Sequence, residues 1–197
     1  MTRWLIVVGG GLAAAVVMLA AAAVHPTHGT ITAFPDGPPP ARTGGFGEQT
    51  CHACHFDNAA NESGGTLTVS GVPAAYAAGQ RYRLTVALRG GDLMAGGFQL
   101  AARFVDAGAQ AGALHSVDER TQVGSGVGTA IQYASHARPG IEPSGDGHIE
   151  WVIEWTAPAA AAGPVIFHAS ALSANGDGSS LGDHVYTTSA TAQAAKR

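Results

Sequence analysis

His148-Ile149-Glu150-Trp151-Val152-Ile153-Glu154-Trp155 is the stretch that decides the fold. Ile149, Trp151, Ile153 and Trp155 fall on one face of an extended chain. Glu150 and Glu154 fall on the other, with Val152. Such a period of two marks a β-strand with one buried and one wet face. Arg81-Tyr82-Arg83-Leu84-Thr85-Val86-Ala87-Leu88 repeats it, with Tyr82, Leu84, Val86 and Leu88 on the apolar side. Further extended runs are expected near 66–70, 97–105, 129–134, 164–171 and 184–189, separated by Gly-Gly, Asn-Gly and Asp-Gly pairs. About seven short strands spaced by turn signals predict an all-β, immunoglobulin-like two-sheet sandwich. No βαβ alternation and no internal repeat are visible.

The rest of the chain is arranged around that sandwich. Thr2-Arg3 supplies a positive start, and Trp4 to Val24 carries no charge. A charged start, an apolar run and the small residues Ala21-Ala22-Ala23 have the pattern of a secretory signal. The run also has the roughly 20 apolar residues that a bilayer-spanning helix needs. A cleaved signal and a retained N-terminal hydrophobic helix, a membrane tether through residues 4–24, both stay open. In either case the chain beyond residue 24 is expected outside the cytoplasm, periplasmic or on the outer face of the membrane. Residues 25–49 read as a Pro/Gly-rich linker, with Pro35-Asp36-Gly37-Pro38-Pro39-Pro40 stiff and Thr43-Gly44-Gly45-Phe46-Gly47 free. The domain is expected over 50–190, and 191–197 as a tail.

Charged residues make up 12% of the chain, net charge is −4, and Lys196 is the single lysine. No basic cluster suggests a nucleic-acid partner. Gly178-Ser179-Ser180-Leu181-Gly182 lacks the strand-and-helix setting of a hydrolase nucleophile. Asn175, Asp177 and Asp183 lack the spacing of an EF-hand and read as a solvated turn. No phosphate loop or zinc-protease pattern occurs, and no enzyme is expected.

Both cysteines lie in Cys51-His52-Ala53-Cys54-His55. Cys-x-x-Cys-His is the attachment pattern of c-type haem. Thiols at i and i+3 lie on one side of a helical turn, and the following His55 can face an iron. The expectation is one covalent haem c on a short helical segment, serving electron transfer to a redox partner protein or haem-based sensing. Cys51, Cys54, His55 and His136 are the cofactor-binding residues, with His55 and His136 as metal ligands. His136 stands first for the distal position because it follows a strand. His115, His168, Met94 or an open site are the alternatives. Competing uses of the pair are a disulfide, a zinc site and a thioredoxin-like dithiol. With the disulfide, the protein would be a non-enzymatic surface adhesion or interaction module.

Gly44-Gly45-Phe46-Gly47-Glu48-Gln49-Thr50-Cys51-His52-Ala53-Cys54-His55 resembles the start of the bacterial choice-of-anchor domains related to the reelin N-terminal (reeler) domain. Val72-Pro73-Ala74-Ala75-Tyr76, Gly97-Phe98-Gln99-Leu100, Tyr133-Ala134-Ser135-His136, Trp155-Thr156-Ala157-Pro158 and Ala174-Asn175-Gly176-Asp177-Gly178-Ser179 follow in order. The resemblance covers residues 44–190. It implies an exported immunoglobulin-like sandwich, with the cysteine segment leading into it and His136 at a position where the family has a histidine.

Overall fold

The computed structural model describes residues 34–90 and 92–195. The expected N-terminal helix at 4–24 lies outside the described residues. Among them no helix is long and apolar enough to cross a membrane.

Ten strands are present among the described residues. They are β1 (Gly65–Ser70), β2 (Ala75–Tyr76), β3 (Arg81–Gly90), β4 (Ala95–Phe104) and β5 (Ala113–Ser116). Then come β6 (Thr121–Ser125), β7 (Gln132–His136), β8 (His148–Thr156), β9 (Val165–Ala174) and β10 (His184–Ala194). One sheet has the order β1-β3-β8-β5 and the other β2-β10-β9-β4-β7-β6. Pairing is antiparallel except where β2 runs parallel to the end of β10. This is the two-sheet sandwich that the alternation predicts. β2, β5 and β6 escape that pattern because they are short and lie at sheet edges. β10 runs on to Ala194, so much of the expected tail is strand.

The register explains the core. Leu84 faces Ile153, Val86 faces Trp151 and Leu88 faces Ile149 across β3 and β8. These six side chains are buried on one face. From the other sheet Phe98 stacks on Trp151, centroids 4.5 Å apart. Phe167 and Tyr76 meet Trp155 edge-on at 4.9 and 5.6 Å. Both indole N–H groups are satisfied: Trp151 donates to the Gly140 carbonyl and Trp155 to that of Ala111. A large aromatic can therefore be buried without stranding its polar atom.

β4 departs from the half-wet pattern. Gly96 to Ala102 are buried without a break. The inner face carries Phe98 and Leu100. The outer face, with Gln99, is covered by residues 34–55, including most of the stretch whose composition reads as a linker. Gln99 is 1% exposed. Its side-chain amide donates to the Pro39 carbonyl at 3.0 Å and accepts the Arg42 N–H at 2.6 Å. Further along, Ser170 Oγ on β9 accepts the Cys51 N–H. A buried polar sheet face is tolerable only when each group finds a partner, and a Pro-rich segment has unpaired carbonyls to offer. We call this covering segment the strap.

Candidate functional site: an apolar cleft beneath the strap

The strap is held by polar contacts along its length. Asp36 forms an exposed ion pair with Arg138 at 2.6 Å. Glu48 accepts from Arg103 at 2.8 Å, from the Tyr133 hydroxyl at 2.6 Å and from Thr43 Oγ1 at 2.5 Å. The Arg103 guanidinium also lies over the Phe46 ring, 4.4 Å from its centroid. Phe46 in turn meets His168 edge-on. Burial and Glu48 together push the Tyr133 phenol well above its ordinary value.

Cys51–Ala53 forms a single 3₁₀ turn capped by Thr50, whose side chain accepts the His52 N–H. The expected helical segment is thus shorter and tighter than an α-helix. His52 turns away and bonds the Asn58 carbonyl at 3.0 Å. His55 points inward. Its Nδ1 meets the Asp183 carboxylate at 2.6 Å. Asp183 is buried, and its other oxygen accepts the Asn175 N–H at 3.1 Å. One carboxylate thereby ties the cysteine turn to the β9–β10 loop. Within that loop Asn175 Oδ1 accepts from the Asp177 N–H and Asp177 Oδ1 from the Ser179 N–H, while the Gly182 N–H donates to Asp57. The Ser179 N–H, with the Ser179 hydroxyl, holds the Asp177 carboxyl below its usual range. Asp177 stands in the expected solvated turn, whereas Asp183 does not: it is buried beneath the cysteine turn.

Between strap, cysteine turn and loop the outer face of the larger sheet is left open. The cleft measures ≈ 290 Å³, close to the lower end of the roughly 300–1,000 Å³ common for small-molecule sites. Its floor is Ala95, Gly97, Leu172 and Ala174. Phe34, Pro35, Pro38 and Pro39 form one wall. Cys51, Cys54 and His55 form another. His136 lies at the side. The structure therefore gathers Cys51, Cys54, His55 and His136 about one cavity, although they are up to 85 residues apart in sequence. Arg42 and Asp183 join them without any motif to announce them.

The expected haem c is corrected by this geometry. Among the described residues no three His, Cys, Asp or Glu side chains come together as a metal-binding group. His136 cannot offer a lone pair to iron. Its Nδ1 accepts the Phe98 N–H at 3.1 Å and its Nε2 meets the Phe34 carbonyl at 3.0 Å. Both ring nitrogens are spent on backbone, and burial holds the imidazole below its usual pKa. His136 pins the start of the strap to β4. The other distal candidates are no better placed. His115 sits on edge strand β5 and meets Thr156 Oγ1. His168 lies under Phe46. Met94 projects into solvent, 67% exposed. Cys51 and Cys54 share the turn without being bonded to each other here, and burial raises the pKa of the Cys51 thiol.

No family model matches the chain, and no curated protein does. Solved structures do. The reeler domain of human F-spondin is 20% identical with a TM-score of 0.48, covering 70% of this chain and 93% of that one. A second structure of the F-spondin Reelin-N domain is 22% identical with a TM-score of 0.47, covering 74% and 98%. The cohesin module of a Clostridium perfringens family 33 glycoside hydrolase is 18% identical with a TM-score of 0.48, covering 69% and 100%. These are likenesses of fold.

Proposed function

We propose that this protein is an exported, non-enzymatic interaction module that captures an apolar group in the cleft beneath its strap. The observation that carries the reading is the cleft's lining. Its floor and proline wall are aliphatic or aromatic, while Asp183 and His136 are spent on partners within the protein and His55 is held through Nδ1 by Asp183. A mainly apolar recess whose acidic group and His136 are engaged within the protein suits binding better than acid–base or nucleophilic chemistry. The rim adds to this. Phe34, 45% exposed, lines the cleft, and the exposed Met94 adjoins the floor residue Ala95. Apolar side chains left in water around an apolar recess are the usual mark of an interaction site.

Export would place Cys51 and Cys54 where disulfides persist. We assign them as a staple that closes the turn forming one wall. Anilinonaphthalene sulfonate, whose fluorescence rises in apolar pockets, tests the function. The folded protein is expected to enhance its emission several-fold, and Leu172→Glu, which puts a charge on the floor, to abolish the enhancement without loss of the folded state. Equal emission from both proteins would refute the reading.

A further inference from the structure

We propose that the cleft accepts a medium-chain aliphatic carboxylate, its chain over Leu172 and its carboxylate on Arg42. The proposal rests on the binding reading above and adds the ligand's chemical class.

Charge in the lining supports it. The ionisable or imidazole side chains there are Arg42, His55, His136 and Asp183, beside the two cysteines. Asp183 is engaged by His55 Nδ1 and the Asn175 N–H. His136 is bonded to backbone at both nitrogens. Arg42 alone has no countercharge: none of the ion pairs among the described residues includes it. Its Nη1 donates to the carbonyls of Pro40 and Ala41, which fixes the side chain without neutralising it. A guanidinium against an apolar surface attracts a carboxylate more strongly than one in open water, and its planar fork matches the two oxygens.

The shape fits an unbranched chain. Ala95, Gly97 and Ala174 keep the floor low. At Gly97 a Cβ would stand 2.7 Å from the His136 ring, so glycine there lets strand, imidazole and cleft meet. The sulfurs of Cys51 and Cys54 present a soft, weakly polar wall. A volume of ≈ 290 Å³ suits a chain of moderate length, and decanoate is the natural probe.

Calorimetric titration of the exported protein with decanoate, decanol and decylammonium tests this. Decanoate should bind at least tenfold more tightly than decanol, and decylammonium more weakly than either. Arg42→Ala should bring decanoate down to the level of decanol and leave decanol unchanged. Arg42→Lys should restore part of the difference, since lysine keeps the charge and loses the fork. Leu172→Glu should remove both ligands. Equal binding of decanoate and decanol by the native protein would overturn the carboxylate assignment and leave the apolar cleft standing. Failure of all three probes would overturn both. Undiminished binding by Leu172→Glu would place the ligand elsewhere and overturn the site. Should Arg42→Ala not fold, the native protein decides alone: raising salt from about 50 to 500 mM should weaken decanoate several-fold and not decanol.

Discussion

Glu48 shows how much one side chain can hold. It joins the strap to β4 through Arg103, to β7 through Tyr133 and to itself through Thr43. Glu48 and Arg103 are both largely shielded from water. Removing one partner of such a pair leaves the other charge shielded and unmatched, which costs about 3 kcal/mol. Glu48→Ala should lower stability by about that amount in denaturant titration, and Arg103→Ala combined with it should cost less than the two singles summed. His136 sets a pH dependence. Unfolded, its imidazole takes up a proton below about 6.5; folded, burial lowers that value. The unfolded chain therefore binds more protons as pH falls through 6.5. Stability should be level above that pH and decline below it. His168, lowered in the same direction by burial, adds to the decline. Unfolding free energies measured between pH 8 and 5 should show the slope, and His136→Gln should make it shallower.

The strands differ in how much of them can be read in advance. β3 and β8 pair residue by residue with every second side chain buried, and their alternation is plain in the sequence. Trp155 belongs to that face, and Trp155→Ala should cost about 3–5 kcal/mol in the same titration. β4 and β9 are harder to read because one face lies on the opposite sheet and much of the other is covered by the strap. At Gly97 the His136 ring of β7 packs directly against β4. Gly97→Ala should destabilise by about 1–3 kcal/mol, since the new methyl group meets the His136 ring. A wild-type-like melting temperature for that variant would contradict the close packing. Short edge strands such as β5 and β6 have too few residues to show a period at all.

At the scale of the described domain, the strap adds a partial third layer to the two-sheet sandwich, with a cleft on its outer side. The cysteine turn closes one end of that layer. A Cys51–Cys54 disulfide encloses only four residues, so chain entropy limits its stabilisation to about 2 kcal/mol. Thiol titration of the exported protein should find no free thiol, and reduction should lower the unfolding free energy by no more than that. A larger loss would mean that the disulfide restrains the whole strap and not one turn.

The sequence by itself determined the sandwich, because alternating burial leaves a period that local reading can recover. It also determined that Cys51, Cys54 and His55 act in one place, since they are neighbours in the chain. What occupies that place was a matter for the tertiary structure. A histidine's lone pairs are committed by whatever surrounds it, and the Phe34 carbonyl and the Phe98 N–H reach His136 from 102 and 38 residues away. The spacing of Cys-x-x-Cys-His could not foresee that, nor that Asp183 and Arg42 would line the same cleft. Periodicity records which face is wet, whereas partnership between distant polar groups exists only once the chain has folded.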